Sequence, residues 1–164
     1  MLETMRHRAP DGSRVIEHEG YQIGMGRLAI IDPQNDRFPF EDGNLILTFN
    51  GEIYNHVELR EELEKKGWRF ETKGDTEVLL KAYQEWGEGC LDHLNGMFAF
   101  AIYHKDSRAV FFARDIAGEK PFYYIYNHLY KYFEFASEAK ALKQDCTELE
   151  PGHCGIWDET GVTI

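Results

Sequence analysis

Leu45-Ile46-Leu47-Thr48-Phe49-Asn50-Gly51-Glu52-Ile53-Tyr54-Asn55 runs from an apolar segment into a polar one. Residues 45–49 have the composition of a buried strand, whereas Asn55 with Glu58 three residues later is typical of a helix cap. The pattern therefore predicts a strand, a sharp turn at Asn50-Gly51 and then a helix. Gly51 permits positive φ and a close approach to a ligand, and Asn50 can donate an amide N–H into the same space. A plain turn is the alternative, because Asn-Gly is common turn chemistry.

Two helices are predicted after this stretch. Leu59 and Leu63 form an apolar stripe within residues 57–66, where glutamates come early, lysines come late and Gly67 follows. That order of charges complements a helix dipole. Residues 76–86 carry apolar side chains at three- and four-residue spacing before Gly87, which predicts the second helix.

Short apolar segments separated by turn-forming residues predict strands at 21–31, 45–49, 97–103, 109–113, 122–126 and 130–136. Runs of strands with grouped helices favour an α+β fold, with two stacked sheets covered by helices. The chain has 164 residues, of which 43% are hydrophobic, so it can bury one substantial core. We expect a single domain over residues 1–164.

Composition and charge exclude several classes of protein. The formal net charge of -11 disfavours nucleic acid and anionic membranes as partners, because both carry negative charge. No apolar run reaches the roughly 18 to 20 residues that span a bilayer, and the N-terminus lacks the apolar core of a signal peptide, so we expect a cytoplasmic protein. Three cysteines without paired spacing and scattered histidines predict reduced thiols and no metal site.

Seven segments carry a family resemblance. In order along the chain they are Arg6-His7-Arg8-Ala9-Pro10-Asp11-Gly12, Gly26-Arg27-Leu28-Ala29-Ile30-Ile31-Asp32, Asn50 to Asn55, Gly74-Asp75-Thr76-Glu77, Leu94-Asn95-Gly96-Met97-Phe98-Ala99-Phe100, Arg114-Asp115-Ile116-Ala117-Gly118-Glu119-Lys120-Pro121-Phe122-Tyr123-Tyr124 and Ala136-Ser137-Glu138. Together they resemble the glutamine amidotransferase domain of glutamine-hydrolysing asparagine synthetases. The resemblance implies the four-layer αββα sandwich of N-terminal nucleophile hydrolases.

The resemblance also implies roles for individual residues. Hydrolysis of a carboxamide requires a nucleophile, a base, donors for the oxyanion and groups that hold the amino-acid end of glutamine. By resemblance, Asn50 and the Gly51 N–H form the oxyanion hole. The implied substrate-binding residues are Arg27 for the α-carboxylate, Glu52 and Asp75 for the α-ammonium group, and also Leu28, Ile30 and Ile31.

Two of these residues have structural alternatives. The guanidinium fork of Arg27 matches a carboxylate, but it could instead pair with Asp32 or Asp11. Asp75 could be the cap of the helix that follows it. The two roles of Asp75 are compatible, because one carboxylate oxygen can accept a helix N–H while the other meets an ammonium group.

In the family the nucleophile is a processed N-terminal cysteine, which begins the sequence Cys-Gly-Ile, and its α-amino group is the base. This chain starts with Met1-Leu2-Glu3-Thr4-Met5, which resembles the end of the helix before the Arg6 to Gly12 segment. We therefore expect a domain truncated at its N-terminus and inactive when tested alone. Smaller departures are Ala9 in place of glycine, and Arg37-Phe38-Pro39 where the family has a glutamine before the proline.

The implied function is the hydrolysis of L-glutamine to glutamate and ammonia, for amide formation by a synthetase domain. The resemblance implies no cofactor in this domain, ATP and Mg in the absent synthetase domain, and L-glutamine and that synthetase domain as partners. It is compatible with a homo-oligomer. The alternatives are a non-catalytic module that binds glutamine or a partner protein through the same pocket, and a purely structural domain.

The remaining motifs have competing interpretations. Cys154-Gly155-Ile156 copies the nucleophile motif near the other end of the chain, so a circular permutant is one hypothesis. The flanking residues instead match the strand-turn-strand that closes the family domain, which makes Cys154 an ordinary strand residue. Arg114 and Asp115 are predicted to be a buried charge pair that braces a turn, since buried charges are usually paired. His7 and Arg8 are expected to be packing or turn-stabilising residues rather than catalysts.

Overall fold

The structure is a computed structural model that describes residues 1–28, 30 and 37–164. Its strands are β1 (Ser13–His18), β2 (Tyr21–Gly26), β3 (Phe40–Asp42), β4 (Leu45–Ile53), β5 (Gly96–His104), β6 (Val110–Arg114), β7 (Tyr123–Asn127), β8 (Tyr132–Ala136), β9 (Thr147–Glu148), β10 (Cys154–Asp158) and β11 (Gly161–Thr163). The α-helices are α1 (His56–Lys65) and α2 (Asp75–Trp86). Short 3-10 helices cover Leu2–Arg8, Gly87–His93 and Ala139–Ala141.

The strands form two stacked layers. One layer is a six-stranded antiparallel sheet in the order β11-β10-β6-β5-β4-β3. The other layer holds the β1–β2 hairpin and a three-stranded sheet in the order β8-β7-β9. Helices α1 and α2 pack on the outer face of the six-stranded sheet, and the 3-10 helix Leu2–Arg8 packs against β2 beyond the second layer. The predicted α+β fold with stacked sheets is confirmed.

Alternation along the central strands explains the two cores. Leu47 and Phe49 on β4 face the helices, whereas Ile46 faces the second strand layer. Successive strand residues point to opposite faces, so Asn50 projects on the same side as Ile46, between the layers. The polar residues of the sequence segment around Asn50 therefore meet the second layer.

The β4 strand corrects the predicted turn. The strand continues from Leu45 to Ile53, so the expectation of a sharp turn at Asn50-Gly51 was wrong. Gly51 lies opposite Phe98 and Ile53 lies opposite Gly96. A side chain at either glycine would clash with the backbone of the other strand. The two glycines therefore allow the β4–β5 ladder to continue with the two backbones in close contact.

Other predicted boundaries differ by one to five residues. Both helices match their predicted ranges to within one residue at each end. The strand predicted over 21–31 ends at Gly26, and Ile31 lies outside the described residues. β1 was missed because five of its six residues are exposed, which leaves no apolar alternation to detect.

Asn55 precedes α1 at the cap position, but its side chain makes no cap hydrogen bond. Its amide Nδ2 donates instead to the His93 carbonyl at 2.9 Å, and its Oδ1 accepts the Asn95 N–H at 3.0 Å. The predicted helix start was right and the predicted side-chain cap was wrong, because the amide tethers the start of α1 to the turn before β5.

Arg114 and Asp115 are buried as predicted, but each is satisfied mainly by backbone rather than by the other. The Arg114 guanidinium donates to the carbonyls of Gly118, Lys120 and Leu149 and also bonds Glu148. It thereby joins the end of β6 to β9 in the other layer.

Candidate active site

A cavity of about 440 Å³ lies between the two strand layers, where β2, the ends of β4 and β5, and the end of β8 converge. Asn50 on β4 pairs with Ala99 on β5, and Thr48 pairs with Ala101. All four residues line the cavity. The two alanines on β5 leave room above the sheet for a small ligand.

The side-chain amide nitrogen of Asn50 has no hydrogen-bond partner among the described residues. This Nδ2 atom is buried. A buried polar group that lacks a hydrogen bond costs about 1–3 kcal/mol, so natural structures rarely retain one without a reason. A ligand oxygen in the cavity would satisfy this donor.

The Gly51 N–H is also directed away from its neighbouring strand. Both backbone groups of Phe98, which lies opposite Gly51, bond Asp115: the Phe98 N–H donates to Oδ2 at 3.2 Å and the Phe98 carbonyl accepts the Asp115 N–H at 2.8 Å. In an antiparallel pair, both residues of such a position direct their N–H groups outward. The pairing of β3 with β4 reaches only Leu47, so no strand partner takes up the Gly51 N–H within the described sheet.

Asp75 also lines the cavity, at the first residue of α2. Its Oδ2 accepts the Ile53 N–H at 3.0 Å, which fixes the carboxylate beside the end of β4. Burial raises the pKa of Asp75 above its ordinary value, although the Ile53 bond and nearby His56 oppose this. Gly74 occupies the cap position, so Asp75 is not the helix cap that one interpretation expected.

The loop before Asp75 is rigidly held. Buried Glu77 accepts the N–H groups of Glu71 and Thr72 at 2.7–3.1 Å, and the Thr72 hydroxyl at 2.6 Å. Arg60 on α1 donates to the Gly74 carbonyl at 3.0 Å. These bonds determine where α2 begins and therefore where the Asp75 carboxylate lies.

The remaining predicted ligand residues surround the same space. Arg27 and Glu52 line the cavity and are partly buried. The Arg27 backbone bonds Gly12 and Asp11 at 2.9 and 3.1 Å, which anchors the chain just after β2. Leu28 and Ile30 line the rim, each 61% exposed. Ile31, and Asp32 as a possible ion-pair partner of Arg27, lie outside the described residues.

Comparisons with known proteins show the family of the chain. The model of the glutamine amidotransferase domain family matches residues 1–158. The chain belongs to this family. It is 44% identical to glutamine-hydrolysing asparagine synthetase 1 of Bacillus subtilis over 92% of the chain and 24% of that relative. It is 41% identical to the glutamine-hydrolysing asparagine synthetase of Zea mays over 93% of the chain and 26% of that relative.

A solved structure supports the fold of this glutamine amidotransferase domain. The glutamine phosphoribosylpyrophosphate amidotransferase of B. subtilis, solved with ADP and GMP, superposes with a TM-score of 0.71 at 27% identity. The match covers 87% of this chain and 34% of that protein. The fold is therefore that of the N-terminal nucleophile hydrolase amidotransferases. The chain spans about a quarter of the length of the asparagine synthetases that it matches.

The cysteines of the amidotransferase domain are not among the described residues that form the cavity wall. Cys154 lies on β10 opposite Ala113 and packs against the core on the helix side of the six-stranded sheet. Burial raises the pKa of its thiol. The permutant hypothesis is therefore wrong, because Cys154 is on the opposite face of the sheet from Asn50.

Sequence reasoning missed several of the polar cavity residues. Arg8, Lys120 and Ser137 all line the cavity, although none was assigned to the site. Each stands in one of the segments that carry the family resemblance, and this is the signal that could have found them. Arg8 also approaches Glu138 at 3.5 Å, which connects the first 3-10 helix to the end of β8.

The described residues are 1–28, 30 and 37–164. They contain no group of three or more histidine, cysteine, aspartate or glutamate side chains that could hold a metal ion. No helix within them is long and apolar enough to cross a membrane.

Proposed function

We propose that the cavity binds L-glutamine and that this domain is the glutamine-hydrolysing part of an asparagine synthetase-like enzyme. The observation that carries the proposal is the pair of donors at Asn50 and Gly51. The Asn50 amide is buried with no partner in the described part of the chain, and the Gly51 N–H is directed away from β5. Carboxamide hydrolysis places negative charge on the amide oxygen in its tetrahedral intermediate. Two fixed N–H donors stabilise that charge more than they stabilise the neutral substrate.

The other charged residues suit the amino-acid end of glutamine. A carboxylate at Asp75, raised in pKa by burial, gains most from an incoming ammonium group, which replaces the lost solvation. Glu52 lies beside it on the cavity wall. Arg27 supplies a guanidinium fork for the α-carboxylate. Glutamine would then span the cavity, with its carboxamide towards Asn50.

The whole reaction needs more than this domain. A thiol nucleophile would attack the carboxamide carbon, ammonia would leave, and water would release glutamate. We propose that the ammonia serves amide formation by a synthetase domain, which in this family's enzymes would use ATP and Mg. None of the chain's three cysteines is among the described cavity residues, so this chain by itself should bind glutamine without turning it over.

Calorimetric titration of L-glutamine into the chain tests the proposal. We expect Arg27→Ala to weaken binding about tenfold or more, because it removes a charge-assisted contact. Arg69→Ala is the matched control, since Arg69 is exposed and does not line the cavity. An affinity that is the same in wild type and Arg27→Ala would make Arg27 a structural residue and contradict its assignment.

The absence of a cysteine from the described cavity residues also favours a second candidate, a non-catalytic glutamine-binding module. A chain extended to begin with Cys-Gly-Ile, as in the family, separates the two. Glutamate release by the extended chain, with none from the present chain, supports the glutaminase. Glutamine binding by both chains without release from either supports the binding module.

A further inference from the structure

Lys120 lies in the loop between β6 and β7, and both of its backbone polar groups are held by buried charged side chains. Its N–H donates to Asp115 Oδ2 at 3.0 Å, and its carbonyl accepts from Arg114 Nε at 2.8 Å. Arg114 and Asp115 are only 8% and 2% exposed. The position of Lys120 is therefore determined on both sides by groups that cannot move without losing several hydrogen bonds.

The same contacts place Lys120 near the oxyanion donors. Asp115 Oδ2 accepts both the Lys120 N–H and the Phe98 N–H, and Phe98 is the cross-strand neighbour of Gly51. Cross-strand Cα atoms lie about 4.5–5.5 Å apart. The Lys120 backbone is thus separated from Gly51 only by the Asp115 carboxylate and Phe98, and Lys120 lines the same cavity. Its four-carbon side chain is long enough to bring the ammonium group to a ligand held by Asn50 and Gly51.

Lys120 differs from the neighbouring cavity cations. Arg37 bonds Glu71 at 2.5 Å, and Arg8 approaches Glu138 at 3.5 Å. In contrast, among residues 1–28, 30 and 37–164 no carboxylate or carbonyl lies within hydrogen-bond distance of the Lys120 ammonium, and both bonds of this residue are made by its backbone. Lys120 is nevertheless partly buried. A partly buried lysine that lines a cavity favours an anionic ligand.

Glutamine and glutamate, the substrate and product of the proposed reaction, differ in charge only at the end of the side chain. Glutamine ends in a neutral carboxamide, whereas glutamate ends in a carboxylate, and their α-amino and α-carboxyl groups are identical. Arg27 and Asp75, assigned to the α-groups, therefore cannot distinguish them. A cation near Asn50 can.

We propose that the Lys120 ammonium binds the side-chain carboxylate of glutamate and makes the cavity hold this product more tightly than glutamine. This inference rests on the proposed function and adds a residue that determines specificity for the product. Arg114 and Asp115 are positioning residues for Lys120, because they hold its backbone rather than the ligand. Glutamate should consequently compete with glutamine for the cavity.

Calorimetric titrations of L-glutamate and L-glutamine into the full chain at pH 7 test the inference. Lys120→Met should weaken glutamate binding about tenfold or more and change glutamine binding by less than about twofold, because only glutamate has the second carboxylate. Lys120→Arg should retain the preference for glutamate. Lys65→Met removes the same charge from an exposed site on α1 that does not line the cavity, and it should leave both affinities unchanged.

The outcomes distinguish this inference from the proposed function. If wild type binds glutamine but Lys120→Met keeps the same ratio of affinities, the Lys120 proposal is overturned and the proposed function stands. Equal losses for both amino acids would likewise overturn it, since they would show a structural role. If wild type binds neither amino acid, the proposed function fails and the inference falls with it. Thermal melting confirms that each variant is folded, and Lys120→Gln replaces Lys120→Met if the latter is not.

Discussion

A methyl group on Gly51 would lie 2.1 Å from the Met97 carbonyl oxygen and 2.7 Å from the Phe98 Cα atom. Gly51 also has a φ of +153°, a backbone angle that residues with a side chain rarely adopt. We therefore expect Gly51→Ala to lower the free energy of unfolding by about 2–4 kcal/mol, because β4 and β5 must separate to admit the new atom. Urea unfolding of the two proteins measures the difference.

Gly89→Ala is the control for this prediction. A methyl group on Gly89 would meet nothing within 4 Å, and its residue is exposed. Its effect should stay within about 0.5 kcal/mol. If Gly51→Ala and Gly89→Ala destabilise the chain equally, the close contact between β4 and β5 is not what requires glycine at position 51.

Asp75 combines a cost in stability with a proposed role in binding. Burial raises the pKa of this carboxyl group, so the folded chain holds its proton to higher pH than the unfolded chain. Stability is then lost as pH rises from about 4 through the folded pKa. Asp75→Asn removes that loss, so we expect the variant to be more stable than wild type at pH 7 and equal to it below pH 4.

The same substitution should weaken glutamine binding about tenfold or more, since the ammonium group loses its charged partner. Urea unfolding across pH 3–7 and calorimetry at pH 7 measure the two effects. Asp92→Asn, at an exposed site outside the cavity, should show neither. A variant less stable than wild type at pH 7 would show that the Ile53 bond outweighs the burial of the charge.

The conformation of the loop after β6 depends on hydrogen bonds to the Asp115 carboxylate. Burial opposes ionisation of this carboxyl group, but N–H donors from Glu119, Lys120, Phe98 and Gly118 outweigh it and hold the pKa below its ordinary value. Such a group stabilises the fold above its unfolded pKa of about 4, and the contribution is lost as pH falls towards the folded pKa. Asp115→Asn should therefore destabilise the chain by about 2 kcal/mol at pH 7.

The pH dependence separates this effect from a simple packing defect. The difference between wild type and Asp115→Asn should shrink below pH 4, where the wild-type carboxylate takes up a proton. Asp145→Asn, at an exposed position, should match wild type throughout. A difference that stays constant down to pH 2 would mean that shape, and not charge, determines the contribution of Asp115.

Helices and central strands were predictable because their signals are local. The stripe of Leu59 and Leu63, and the apolar run of β5, follow the periods of helix and strand. The course of β4 beyond Phe49 was not predictable, because only contact with β5 reveals that Gly51 and Gly96 permit a longer ladder. The prediction of a side-chain cap at Asn55 was wrong for the same reason, since the hydrogen-bond partners of this side chain lie about 40 residues away in the sequence.

The candidate site, which depends on the whole molecule, could likewise be predicted from the sequence only in part. Asn50, Gly51, Glu52 and Asp75 were assigned through the family resemblance, and the structure brings them to one cavity. Their roles in binding and catalysis stay predictions. Lys120 stands in a segment that carries the resemblance, but its place at the cavity depends on Arg114, which bonds both Lys120 and, in the other layer, Leu149. Long-range contacts of this kind appear only when the two strand layers are stacked.

The second strand layer gives the molecule regions of unequal stability. Strand β5 is hydrogen-bonded on both sides, by β4 and β6, whereas β1 and β2 pair only with each other among the described strands. The hairpin is held mainly by side chains, including Ile23, which is 6% exposed, and Tyr21, whose ring centroid lies 4.5 Å from that of Tyr103. Elements with few buried contacts open most easily.

Hydrogen exchange should reveal this difference directly. We expect amides of β1 and β2 to exchange at least about tenfold faster than those of β5, because the hairpin can open without unfolding the six-stranded sheet. Glutamine should slow exchange at residues 24–28 and 49–52, which line the cavity from the two layers, and leave α1 unchanged. Mass spectrometry of peptides with and without glutamine measures both effects. Equal exchange in the hairpin and β5 would mean that the two layers unfold together, and glutamine protection confined to residues outside the cavity would place the ligand elsewhere.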